Sequence, residues 1–241
     1  MSYIKTHMCN ESKYEIGLDE AGRGPCFGRL YVAGVVWPRN LRPIDLIRDS
    51  KTLTSKQLEQ AYEFIIQNIP SKDRNVCYAD VEEINQYGPL HSDMRALHRC
   101  LDLFEICPDH ILMDGNYFKP KYYRNDSEIK YTTVIKGDSK YYSIAGASIL
   151  AKWNRDKYIL ELCRSHPVID QWYSISSNKG YLTKKHREGL DKFGITNYHR
   201  KKYKCCIGKN MNVLPQDNVV KDKVKVKVKV KVKGKANETV L

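Results

Sequence analysis

The chain has 241 residues, 41% hydrophobic and 29% charged, which suffices for one substantial domain with its own core and argues against disorder throughout. No apolar run nears the roughly 18 residues that a membrane span needs. Residues 1–14 are polar and lack the apolar stretch of a secretory signal, so a soluble, intracellular and cytoplasmic monomer away from membranes is expected. Lys and Arg outnumber Asp and Glu by 41 to 28, a net +13. That balance favours a polyanionic partner such as nucleic acid.

In chain order, residues 1–13 read as a loose leader. Tyr14–Leu18 reads as a short strand running into Asp19-Glu20-Ala21-Gly22-Arg23-Gly24-Pro25. Leu30–Trp37 is a near-continuous apolar run of strand length. Arg48–Leu53 is turn-like. Thr54 or Ser55 is placed to cap a helix whose apolar face is Leu58, Ala61, Tyr62, Ile65, Ile66 and Ile69. Asn75–Asp80 predicts a strand. Pro89 opens a helix with Leu90, Met94, Leu97, Leu101 and Phe104 in one stripe. His110–Met113 reads as a strand ending at Asp114-Gly115-Asn116. Lys119–Lys130 is polar, Tyr-rich and expected to be an exposed loop. Tyr131–Ile135 reads as a strand ending at Lys136-Gly137-Asp138-Ser139. Helices are expected over about 142–163 and over 183–193, the latter stopped by Gly194.

Strands first, then alternating helices and strands, indicate an α/β class with a mixed sheet, and a mainly helical small subdomain after about Pro167. The domain reading is a leader over 1–13, a sheet domain over 14–166, a helical subdomain over 167–210 and a Lys/Val-rich disordered tail over 211–241. Residues 221–241 hold +6 of the net charge, with Lys and Val alternating strictly from Lys223 to Lys233. Two readings stand: a solvated low-complexity tail, or an electrostatic tether for nucleic acid. The eight cysteines include no Cys-x-x-Cys pair and no Cys/His group at zinc spacing. They are read as reduced thiols, several serving as small core hydrophobes.

Three strand-like segments end in acids: Asp19-Glu20, Asp114 and Asp138. Such ends converge in α/β sheets. Four gathered carboxylates would repel one another unless divalent cations neutralised them. Hard Mg²⁺ suits carboxylate oxygen, water and phosphate, the donor set of two-metal phosphodiester hydrolysis. Each acid alone could equally be a turn former or a helix cap. The glycines of Gly22-Arg23-Gly24-Pro25 match neither a dinucleotide fingerprint nor a phosphate-binding P-loop. Their turn would let backbone N–H groups approach a nucleic-acid strand and its Arg reach phosphate, or it is simply a tight turn.

Six blocks in order resemble the type 2 ribonucleases H, the ribonuclease HII branch in particular. They are Gly17–Pro25 with Gly28, Asp49-Ser50-Lys51-Thr52-Leu53, Met113–Asn116, Lys136–Ser139, Ala147–Lys152 with Arg155-Asp156, and Asn178-Lys179-Gly180-Tyr181. The resemblance spans roughly residues 14–203. It implies an RNase H-like mixed five-stranded sheet flanked by helices, with the helical subdomain behind it. The implied activity is Mg²⁺- or Mn²⁺-dependent cleavage of the RNA strand of RNA–DNA hybrids, and nicking 5′ of ribonucleotides embedded in duplex DNA. By motif, Asp19, Glu20, Asp114 and Asp138 become the catalytic, metal-binding acids. Gly22, Arg23 and Gly24 become the turn at the ribonucleotide 2′-OH, Tyr181 the aromatic on the sugar, and Lys51 a phosphate contact. Ser148 and Asp156 become supporting groups. Asn178 stands where the family usually has His, and Tyr198–Tyr203 is a weak version of a late His-Arg block; its basic run Arg200–Lys204 is read either as a backbone tracker or as ordinary surface. The alternatives are a hybrid-binding protein without turnover and a junction-type DNA nuclease of the same fold.

Overall fold

The structure, a computed structural model, describes residues 4–8, 12–119, 123–124 and 127–215. Five strands form the central sheet: β1 (Glu15–Ala21), β2 (Leu30–Val36), β3 (Arg74–Ala79), β4 (His110–Asp114) and, later in the chain, β7 (Lys130–Val134). Their order is β3-β2-β1-β4-β7. The β1–β2 and β2–β3 pairs are antiparallel, while β1–β4 and β4–β7 are parallel. The expected mixed five-stranded sheet is therefore present. Within the stretch expected as loop, β5 (Tyr123–Arg124) and β6 (Ser127–Glu128) form a two-stranded ribbon.

Period-two alternation splits the sheet's side chains between two cores. Ile16, Leu18, Leu30 and Val32 face one layer with Leu97, Cys100 and Leu101 of α3 (Pro89–Asp102). Tyr31, Ala33 and Val35 face the other, with Leu58, Ala61 and Ile65 of α1 (Ser55–Asn68) and Ala147, Ile149 and Leu150 of α4 (Tyr142–Ser165). The short helix α2 (Val81–Tyr87) precedes α3. Helix α1 begins where the sequence places it, with Thr54 as N-cap in a reciprocal capping box with Gln57. The α3 stripe is met in part: Leu97, Leu101 and Phe104 are buried and Met94 packs against the same core, but the buried face extends further round the helix. Leu90 is exposed, and the buried face runs through Asp93, Ala96, Leu97, Cys100 and Leu101, because β2 and β3 meet that side of the helix.

Helix α4 is buried along its first ten residues on nearly every side. Gly17 of β1 makes this possible: a Cβ there would stand 2.3 Å from the Ser143 backbone. The helix can thus lie against the strand that carries Asp19. After α4 come α5 (Pro167–Tyr173), α6 (Ile175–Asn178) and α7 (Lys184–Phe193), the last capped by Thr183 and ended by Gly194. Ile169, Tyr173, Ile175, Leu190 and Cys206 belong to the same core as α4. Strand β8 (Ile195–Thr196) pairs with β9 (Met211–Asn212), so the segment expected as tail begins with an ordered pair; the Lys/Val alternation lies outside the described residues. The expected leader is also tied down: Lys5 N–H donates to Lys140 O and Tyr142 N–H to Lys5 O, Met8 N–H donates to Glu15, Lys13 N–H to Asp109, and Arg39 donates to Ser12 O. Among the described residues no helix is long and apolar enough to cross a membrane.

Candidate active site

Strand β1 extends to Ala21, so Asp19 and Glu20 lie inside it, opposite Ala33 and Val32, rather than beyond its end. Pairing with β2 carries the strand through both acids. Alternation then sends them to opposite faces. Asp19 turns toward α4, where Ser148 stands close enough to draw its carboxyl down against the burial; Ser148 Oγ in turn lies 2.9 Å from Ser50 Oγ. Glu20 turns the other way, where Arg23 meets it at 3.2 Å.

Asp114 ends β4, the parallel neighbour of β1. Its Oδ1 accepts the Gly137 N–H at 2.7 Å, which fixes it against the turn that follows β7. That turn starts with Lys136 in the left-handed region (φ 55) and carries the buried Asp138 in a single 3-10 turn. The short 3-10 segment Ser50–Thr52, capped by Asp49, delivers Lys51 to the same place.

The four acids act on one another. Burial, then the charges of Glu20 and Asp114, push the Asp19 carboxyl well above the usual carboxylate range. Burial raises Glu20 as well, against the pull of Arg23. Burial followed by Asp49 and Asp114 lifts Asp138 to about 6, with Lys51 opposing. Desolvation alone would lower Lys51, yet the surrounding carboxylates of Asp19, Asp138, Asp49 and Asp114 outweigh it and hold the ammonium above its ordinary value. Negative charge at this sheet end thus exceeds what the neighbouring cations compensate.

That donor set fits hard divalent cations. No three of the acids bring oxygens all within 4.8 Å of one another among the described residues, so they do not form a closed protein cage. Mg²⁺ characteristically takes one or two carboxylates and completes its shell with water and substrate phosphate, which an open arrangement permits.

The Gly22-Arg23-Gly24 turn borders the acids. Gly22 has φ +92, and a Cβ there would stand 2.0 Å from Arg155 Nε, so the position requires glycine on both counts. Arg23 is half exposed and spans Glu20 and Asp93, the latter at 3.4 Å. Gly24 faces Tyr181: its Cβ would meet the ring at 3.9 Å. Tyr181 is 54% exposed and stands beside the turn. Asn178 supports this from behind, accepting Gly180 N–H at 2.8 Å and donating to Tyr173 O at 2.7 Å.

All nine residues singled out in the sequence therefore gather at one end of the sheet. Several functional neighbours were missed. Asp49 belongs to a block that was recognised, but its charge bears directly on Asp138. Asp93 sits on the buried face of α3, raised to about 8 by burial and then by Glu20; an Asp inside an apolar stripe was the available signal. Arg200 corrects an expectation: it is fully buried and no backbone tracker. Its guanidinium donates to the carbonyls of Gly22 (2.6 Å), Arg23 (3.0 Å) and Gly28 (3.0 Å), bracing the glycine turn from below. The other basic residues of that run, Lys201, Lys202 and Lys204, are exposed.

Acids on parallel strands and in the turn just beyond them, beside a central helix and with a glycine turn at the rim, define a metal-dependent nuclease of the ribonuclease H class. The family model described as Ribonuclease HII matches residues 16–206. Ribonuclease HII of Phocaeicola vulgatus is 42% identical over 194 residues, covering 79% of this chain and 89% of that protein. Ribonuclease HII of Bacteroides thetaiotaomicron is also 42% identical, covering 79% and 90%. The crystal structure of ribonuclease H2 from Pyrococcus horikoshii superposes with a TM-score of 0.63 at 26% identity, over 80% of this chain and 94% of that one. The chain belongs to the ribonuclease HII family and is a metal-dependent endonuclease acting on the RNA strand of RNA–DNA hybrids.

Proposed function

We propose that the enzyme also nicks duplex DNA on the 5′ side of single embedded ribonucleotides, leaving 3′-hydroxyl and 5′-phosphate ends, with Asp19, Glu20, Asp114 and Asp138 holding two Mg²⁺ or Mn²⁺ ions. When bound, such a pair supplies an activated water and charge stabilisation at the leaving oxygen. The observation that carries the reading is the uncompensated carboxylate charge around the buried Asp19, at a sheet end rimmed by the glycine turn.

The protein's own groups divide the remaining work. The backbone of Gly22–Gly24 is held by Arg200 and Tyr203, whose hydroxyl donates to Arg23 O at 2.6 Å. A turn held this way is rigid enough to discriminate one 2′-hydroxyl, the group that separates RNA from DNA. Tyr181 packs on the sugar at the junction, next to Gly24. Lys51 contacts phosphate once cations have taken over its carboxylate neighbours, and Arg23 presents the exposed half of its side chain to the backbone. The helical segment 167–210 serves as the substrate-binding subdomain, since it carries both Tyr181 and the Arg200 brace.

The test compares a DNA duplex containing one ribonucleotide with an all-DNA duplex of the same sequence, in Mg²⁺ and in Mn²⁺. A single cut 5′ of the ribonucleotide with a 3′-hydroxyl end is expected. Cutting of both duplexes alike, or of long hybrids only, overturns the reading.

A further inference from the structure

On the side of the glycine turn away from the acids, Cys26 meets Cys205 and Cys206. Among the described residues, these three form the group whose metal-ligating atoms all lie within 4.8 Å of one another. The Cys205 and Cys206 sulfurs are 3.8 Å apart. A tetrahedral ion with metal–sulfur bonds of about 2.3 Å requires a sulfur–sulfur edge of about 3.8 Å. Cys26 and Cys206 are buried, and Cys205 is partly exposed, which leaves an entry path from solvent.

His186 borders this group without joining it. Its Nε2 lies 3.9 Å from Cys26 Sγ, and its Nδ1–H donates to the Tyr181 carbonyl at 3.0 Å. His199 accepts Thr196 N–H at Nδ1, so its own Nε2–H donates to His186 Nε2, 3.2 Å away, which holds the ring beside the sulfurs.

We propose that Cys26, Cys205 and Cys206 form a binding site for a thiophilic closed-shell cation of the Zn²⁺ class, which clamps the Gly22–Gly24 turn to the C-terminal segment, with the fourth position open to solvent on the Cys205 side. The donors are soft sulfur, the opposite of the all-oxygen set around Asp19, so the two sites select different ions. Binding releases the thiol protons to solvent as thiolates form. Connectivity gives the site its consequence. Cys26 follows Pro25 directly after the turn, and its carbonyl accepts Arg200 N–H at 2.8 Å. The ion would therefore join the two segments that Arg200 already holds together.

The probe is Cd²⁺, titrated into the full-length protein in a thiol-free reducing buffer with Mg²⁺ present to fill the carboxylates. The expected result is an ultraviolet thiolate-to-metal charge-transfer band saturating at one equivalent and displaced by Zn²⁺. The band should vanish in Cys26→Ala and in Cys205→Ala and persist in Cys77→Ala, which alters a different buried sulfur pair. Cys205 is partly exposed, so its variant keeps the test valid should Cys26→Ala fail to fold. No band at one equivalent, a band surviving Cys205→Ala, or a disulfide joining Cys26 to Cys206 in the isolated protein would each overturn the proposal.

Discussion

The two sides of the Gly22–Gly24 turn are built from opposite chemistry. In front lie carboxylates that lift one another's proton affinity and leave negative charge unbalanced. Behind lie a buried guanidinium bonded to the turn's own carbonyls and, beside it, two histidines and three sulfurs. The front is costly for the folded chain until cations arrive; the back is where the chain secures the turn. The turn thus combines an electrostatically unsettled face with a tightly bonded support. Stability and activity are expected to respond to different substitutions on the two sides.

Removing the support has the largest expected effect on folding. Arg200→Ala strips the side-chain donors from the Gly22 and Gly28 carbonyls, while Arg23 O keeps the Tyr203 hydroxyl, and is expected to destabilise the protein by several kcal/mol, with each orphaned acceptor costing about 1–3 kcal/mol. Urea denaturation measures this. A loss below about 1 kcal/mol would mean that the turn is held by other contacts, and the contrast between the two sides would fail.

The front is probed by pH and metal together. Asp138 and Asp93 have folded-state values raised to about 6 and about 8, and Asp19 is raised as well. Groups raised in the folded state bind more protons there than in the unfolded chain. Their contribution is present below about pH 4, the unfolded value, and is lost as pH rises through the folded values. Without metal, thermal stability should therefore fall between about pH 4 and pH 8 from these groups. Mg²⁺ should restore part of the loss, raising the melting temperature by a few degrees more at pH 8 than at pH 5. An equal Mg²⁺ effect at both pH values would break the link between the carboxylate charge and metal binding.

Legibility in the sequence followed the same division. The front was readable because each acid sits in a compact local block: Asp19-Glu20 before the glycines, Asp114 before Gly115-Asn116, and Asp138 after Gly137. Five strands and the α1, α4 and α7 helices followed from periodicity and caps such as Thr54 and Gly194. The back was not readable. Cys26 meets Cys205 and Cys206 across nearly the whole length of the chain, and no local spacing announces it. Arg200 looked like part of a basic surface run, since nothing nearby in sequence reveals that three distant carbonyls await its donors. Along the α3 stripe, Leu97, Leu101 and Phe104 are buried as the period predicts, whereas Leu90 fits the period yet is exposed, and the sheet also covers the side bearing Asp93 and Ala96. Strand β1 ran past its predicted end because pairing with β2 outweighs the low strand preference of Asp19 and Glu20.

The central claim is that the Asp19, Glu20, Asp114 and Asp138 carboxylates carry the chemistry through bound cations. Its most direct test is cleavage of a duplex with one ribonucleotide by parent and Asp138→Asn proteins, side by side, in Mg²⁺. The account predicts that the variant folds, melts without metal no lower than the parent because a buried charge is gone, binds the duplex, and cuts slower by on the order of 10³-fold. A folded Asp138→Asn protein cutting at the parental rate would contradict it.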